Sequence, residues 1–399
     1  MYNENRNDSM LQNFHMTVAN AAISRFGLSA YNLVVIWVVL HITGSPALAG
    51  LADSMMTFPL MLSIVVGSVV DRIWLKKEIA IGAAMIRVAL LVLILYAIYT
   101  GKGIYVVVSI FAATFLLGFT SDVIDSVRAS WMKVFLSEDQ YKSGSSEMSS
   151  ATMLAQGAGF VISGIIIALG DIRSFLVLAL IFLAALLPLL TIRHARYGGS
   201  GSVQEYIMNG IRLAMGDGRI REVIIIGLMG NFILGMAGIM FISLVQVGFR
   251  LPAIYVSMIF GMLVFGIAVG SLLGQRISGN IGRISIAVYA IIGASFFSIS
   301  FVKNGFLAVP PSFIAGLAMG IENVAINTSL MRIIPVEMMA RIQGAFNTFG
   351  IAATAVSSIA GGFLYESAGS TYSFMTVGIC MMSVAVMIRF MRNFSSMAY

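Results

Sequence analysis

The sequence predicts an all-α polytopic membrane protein of twelve transmembrane helices in two pseudo-symmetric six-helix bundles. Three observations lead there. The 399 residues are 59% hydrophobic and only 10% charged, with a mean hydropathy of +0.96 and 40 glycines, whereas a soluble domain is about 45–50% apolar and about 25% charged. The apolar residues fall into twelve runs near the roughly 20 residues that cross a bilayer core. An internal echo also recurs at about half the chain length, as expected of two halves related by an axis along the membrane normal.

In chain order the spans fall at 17–41, 47–70, 79–99, 104–130, 147–169, 172–193, 222–246, 253–275, 284–302, 306–331, 341–365 and 371–391. Met1 to His15 is polar and has no apolar stretch after a basic start, so no cleaved signal peptide is expected. Most connections are very short, which makes neighbouring spans antiparallel. The exception is 194–221. It holds Tyr197-Gly-Gly-Ser-Gly-Ser202 and then Tyr206, Ile207, Ile211 and Met215 at helical spacing, the pattern of a short amphipathic surface helix. The domains are therefore an N-terminal bundle over 1–193, a cytoplasmic linker over 194–221 and a C-terminal bundle over 222–399.

The echo supports that division. Met132, Lys133, Glu138 and Lys142 match Met331, Arg332, Glu337 and Arg341 at an offset of 199, and Gly67-Ser-Val-Val is echoed by Gly270-Ser-Leu-Leu at 203. Orientation follows from the 24 lysines and arginines. Seventeen lie on the side of the N-terminus and four on the other, with Arg25, Arg87 and Arg128 inside spans. That bias places both termini in the cytoplasm of a cell-membrane protein. The single cysteine, Cys380, excludes a disulfide framework, and His15, His41 and His194 have no metal spacing. The basic residues recur singly between apolar runs, which reads as topology rather than nucleic-acid binding. Without a phosphate-binding loop, ATP-driven transport is unsupported. No cofactor is expected, and no catalytic constellation marks an enzyme. The expected partners are the lipid bilayer, a small-molecule substrate and protons, for a monomeric chain.

The densest charge lies at Gly67-Ser-Val-Val-Asp71-Arg72-Ile-Trp-Leu-Lys76-Lys77. It reads as a tight cytoplasmic turn in which Gly67 permits close helix approach and the lysines set topology. The order resembles the signature loop between the second and third helices of the major facilitator superfamily. Other stretches are similar to that family's macrolide- and siderophore-exporter branch. They include Asn13-Phe14, Thr43-Gly44-Ser45-Pro46 through Gly50-Leu51, Pro59, Ile334-Pro335-Val336-Glu337 with Ala340-Arg341, and Ala360-Gly361-Gly362-Phe363-Leu364. The resemblance covers nearly the whole chain. It implies the major facilitator fold, alternating access and, for the branch, proton-coupled efflux by an antiporter. It also implies that Asp71 meets the N-terminus of span eleven and closes the inward path. Three features depart from the branch. Phe160 stands where span five would carry the proline of a Gly-Pro antiporter motif, beside the packing glycines Gly157, Gly159 and Gly164. Thr114, before Gly118, replaces an expected arginine, and no acid follows Gly27.

Charges inside spans are costly and normally face a cavity or a partner. Asp125 and Arg128 are three apart on one face of span four and read as a structural pair. Asp122 and Glu322, offset by 200, place a carboxylate at similar depth in spans four and ten. The resemblance implies that those spans line the central cavity, so both acids are candidates for coupling or cation recognition. Neutralisation by a neighbour such as Arg25, or hydrogen bonds from Asn323 or Asn327, is the structural alternative for each acid. Arg25 is read either as an anion-binding group or as counter-ion to Asp53, Asp122 or Glu322. The second is favoured because an unpaired buried cation is costly. Asp53 is expected to reach water near the outer end of span two, and Arg87 to snorkel or pair. The 27 methionines and 26 phenylalanines read mainly as packing and lipid-facing residues.

Overall fold

The computed structural model describes the backbone of residues 2–101, 103–192, 216–334 and 336–395. Side chains are described there except at 2–8, 64, 65, 68, 71, 138, 142 and 336–349. These residues are helical almost throughout and include no β-sheet. The linker helix expected near Tyr206 to Met215 lies outside the described residues.

Among the described residues ten helices are long and apolar enough to cross a membrane, and the difference from twelve has two sources. Span two is divided into Pro46–Thr57, a 3-10 segment at Phe58–Leu62 and Ser63–Arg72. Pro59 lacks the amide that would bond back one turn, and its ring crowds the carbonyl there. Spans eleven and twelve form one continuous run, Val336–Ile388, interrupted at Gly369 by φ +74°. Only glycine enters that left-handed region without steric cost. The other spans are Tyr2–Thr43, Lys76–Thr100, Ile104–Phe135, Tyr141–Ala168, Asp171–Thr191, Gly218–Ser243, Ile254–Gly274, Ile281–Ile299 and Val309–Ile333. The first begins fifteen residues before its apolar run. No proline or glycine interrupts 2–26, so the helix carries on past the lipid-length segment.

Packing divides the chain into one unit of Met1–Ile42 with Met55–Val203 and another of Thr43–Ser54 with Gln204–Tyr399. The outer half of span two is therefore grouped with the second unit. Within the first unit, span three packs on spans four and six, and the inner half of span two on span four. Within the second, span nine packs on span ten and on the Val336–Ile388 run, and span eight on span ten. Each unit thus repeats the same second-on-fourth and third-on-fourth pairing.

Small residues set these contacts, because in lipid, helices associate by close packing rather than by a hydrophobic difference. A Cβ on Gly270 would overlap the Leu317 carbonyl, one on Gly316 that of Leu263, and one on Gly320 that of Ile267. Spans eight and ten therefore touch backbone to backbone. In the first unit Gly159 does the same, its would-be Cβ lying 2.5 Å from the Phe26 carbonyl oxygen. Gly157 and Gly164 are buried on the same span. Gly67 differs from expectation. The nearest atom to its would-be Cβ is Ser126 Oγ at 3.8 Å, an ordinary contact, and Gly118 instead carries the close approach of spans two and four against the Met56 carbonyl.

Candidate functional site

The charged stretch after span two is held by its lysines. The helix stops at Arg72, Ile73 turns extended at φ −90° and ψ 129°, and Trp74 is exposed. Lys76 is buried, donating to the Val70 carbonyl and to Ser130 Oγ, both at 3.2 Å. Lys77 Nζ donates to the carbonyls of Leu190 and Ile192 at 2.9 and 2.6 Å. Those carbonyls close span six, where a cation complements the helix dipole. Both lysines thus have packing roles beyond topology. The side chain of Asp71, and with it the expected latch on span eleven, lies outside the described residues.

Inside the first unit a polar network joins spans one, four and six. Buried Arg128 donates from Nε and Nη2 to Asn20 Oδ1 at 2.9 and 2.7 Å, and from Nη1 to Asp125 Oδ1 at 2.5 Å. Asn20 donates in turn to the Ala185 carbonyl at 2.6 Å. Asp125 also stands 3.8 Å from Arg25, and those two side chains are 40% and 42% exposed. Arg25 is therefore half-exposed, and the acid beside it is Asp125 on span four. Arg87 does not snorkel. It is buried, donates to Ser121 Oγ at 3.0 Å and lies 5.0 Å from the centre of the Phe182 ring, a cation–π distance.

The two carboxylates offset by 200 occupy different faces. Asp122 Oδ1 accepts from Ser63 Oγ of span two at 2.7 Å. Glu322 Oε1 accepts from Ser285 Oγ of span nine at 2.7 Å. Ser121, not Asp122, faces span three as Glu322 faces span nine, giving an offset of 201. Since one residue turns a helix by about 100°, equal depth does not bring equal direction. Asn323 and Asn327 are exposed and are not the groups that bond Glu322. Glu322 is buried, and its Oε2 has no hydrogen-bond partner among the described residues. Tyr289 is also buried on span nine, its hydroxyl 2.7 Å from the would-be Cβ of Gly230.

Asp53 accepts from Ser358 Oγ of span eleven at 2.5 Å rather than simply reaching water. Nearby, the Glu366 carboxylate accepts from the Ala47 amide at 3.0 Å and from Ser45 Oγ at 2.5 Å. An acid at the start of a helix is where the dipole favours it. Sequence reading missed Asn20, Ser63, Ser285 and Glu366 as partners. Asn20 is one of two asparagines in span one and so carries some signal, whereas serines are frequent in spans and carry none.

These elements match the profile described as "Major Facilitator Superfamily" over residues 17–353. The chain belongs to that superfamily. It is a multi-pass membrane transporter whose partners are the bilayer and a small-molecule substrate. Among solved structures it is similar to the nucleoside transporter NupG, at 13% identity and TM-score 0.71, covering 96% of this chain and 98% of that one. It is similar to a bacterial homologue of the iron transporter ferroportin in its inward-facing state, at 12% and 0.72, covering 97% and 99%. It is also similar to a D-xylose–proton symporter, at 12% and 0.70, covering 94% and 96%. At these identities the likeness is one of major facilitator fold. No curated protein sequence gives a significant match.

Proposed function

We propose that this chain is a proton-coupled exporter of small amphipathic compounds, drug- or siderophore-like, working by alternating access in the cell membrane with both termini cytoplasmic. The observation that carries coupling is Glu322. It is a carboxylate buried among helices, bonded through one oxygen by a neutral serine, with no ion pair among the described residues. An ionised carboxylate is poorly tolerated in such surroundings, and a proton removes the cost. Ser285 and Tyr289 on the facing helix give the site polar walls. Export is supported by the stretches similar to the exporter branch, and orientation by the basic bias. In this reading Asp71, Arg72, Lys76 and Lys77, with Gly67, form the cytoplasmic gate.

Uptake or facilitated diffusion of a metabolite is the second reading. It is favoured by Phe160, which replaces the antiporter proline in a span that runs unbroken from Tyr141 to Ala168.

Expression in an efflux-deficient host, with a compound panel, separates the two. Lower accumulation that a protonophore abolishes supports export, and higher accumulation of any compound supports uptake. Coupling is tested in liposomes. Glu322→Gln should retain binding and counterflow while losing response to an imposed pH gradient, and an unaltered gradient response refutes the role of Glu322.

A further inference from the structure

We propose that Arg25 docks an anionic group, a carboxylate above all, on the compound this transporter carries. The inference rests on the transporter reading and is independent of direction and coupling.

Arg25 lies inside span one with 42% of its side chain exposed. A charge within a span faces water or protein rather than lipid, so this is a wet surface of the first unit. Its nearest acid is shared with a second arginine. Arg128 bonds Asp125 Oδ1 at 2.5 Å, while Arg25 stands 3.8 Å from Oδ2, an ion pair beyond hydrogen-bond range. The Arg128 donors go to Asn20 and Asp125. Arg87, behind them, donates to Ser121 and has no carboxylate within ion-pair distance among the described residues. Among the described residues three guanidiniums thus stand inside these spans with two carboxylates, one of which, Asp122, takes its hydrogen bond from Ser63.

The surplus is positive, and its exposed member is a planar fork with donors to spare. That geometry matches a carboxylate or phosphate two bonds at a time. A cationic compound approaching Asp125 would instead meet the arginines on either side of it. The sequence favours a counter-ion role on the premise that Arg25 is buried. Arg25 is instead half-exposed, and the acid beside it is held more closely by Arg128.

The test uses the whole protein in phosphatidylcholine nanodiscs, which contain no anionic headgroup. Phenylglyoxal modification of individual arginines is followed by peptide mass spectrometry. Arg25 should react faster than buried Arg87 and Arg128, and naphthalene-1-carboxylate should slow it several-fold. The matched alcohol and the matched primary amine should not. The carboxylate should also raise the melting temperature of the parent, retain part of that shift in Arg25→Lys and lose it in Arg25→Gln.

Equal protection by the alcohol, no protection by the carboxylate, or an undiminished shift in Arg25→Gln overturns the proposal. Protection by phosphatidylglycerol nanodiscs alone, with the added carboxylate giving none in phosphatidylcholine, reassigns the anion to a lipid headgroup and also overturns it. Binding is read without transport, so a chain that proves to be an importer, or uncoupled, leaves these outcomes unchanged.

Discussion

Two arginines flank Asp125, and the structure assigns them opposite weights in stability. Arg128 is buried and makes two bonds to Asn20 Oδ1 and one to Asp125. Replacing it with methionine keeps the apolar stem but leaves Asn20 Oδ1 without those donors and Asp125 without its close partner. Breaking a buried ion pair costs about 3–5 kcal/mol. Asp125 is 40% exposed and rehydrates, so about 2–4 kcal/mol is expected, most of it from the stranded amide and the lost charged hydrogen bonds. Arg25, at 3.8 Å and 42% exposed, belongs with surface pairs worth about 0–1 kcal/mol, and Arg25→Gln should fall there. Reversible unfolding of the purified protein in mixed micelles, by circular dichroism or steric trapping, measures both variants. Losses of similar size, or a larger loss for Arg25→Gln, refute the division of labour around Asp125.

Other outcomes follow from the same geometry. Gly270→Ala places a methyl against the Leu317 carbonyl and should cost about 1–3 kcal/mol by forcing spans eight and ten apart, whereas Gly67→Ala, with 3.8 Å of clearance to Ser126, should be nearly silent in the same unfolding measurement. Lys77→Met removes the ammonium from the closing carbonyls of span six and should cost about 0.3–1 kcal/mol, visible as faster amide exchange confined to residues near 188–192. Asp217 caps span seven by accepting from the Arg219 amide at 2.8 Å. The Arg219 side chain, through its hydrogen bonds, also holds the Asp217 carboxyl below its usual range. The cap's ionic contribution is therefore present above the ordinary aspartate value, near pH 4, and fades as pH falls through the lowered folded value. Asp217→Ala should cost about 1 kcal/mol at neutral pH, with the gap to the parent closing only below about pH 4.

Hydropathy made the twelve spans legible because it depends on local composition alone. Their edges were less so. Apolar runs mark where lipid begins, while a helix ends where caps or prolines end it, so span one starts at Tyr2 and span two divides around Pro59. The pair Asp125 and Arg128 was readable because three residues on one helix bring side chains together by geometry internal to that helix. Partners on different helices were not. Asp122 and Glu322 share a depth set by counting residues, but whether a carboxylate meets Ser63 or Ser285 depends on the rotation of the helix about its axis, and a shift of one residue changes the neighbour.

The sequence by itself determined the membrane class, the span count and the family, since these follow from composition, period and short motifs. Tertiary structure decided which charges are matched. Only packed helices place Arg128 against Asn20 and Asp125, leave Arg25 half-exposed, bury Glu322 beside Ser285, and seat Lys76 and Lys77 on the carbonyls of Val70, Leu190 and Ile192. Burial and counter-ion distance are properties of neighbours far apart in the chain, and no local pattern encodes them.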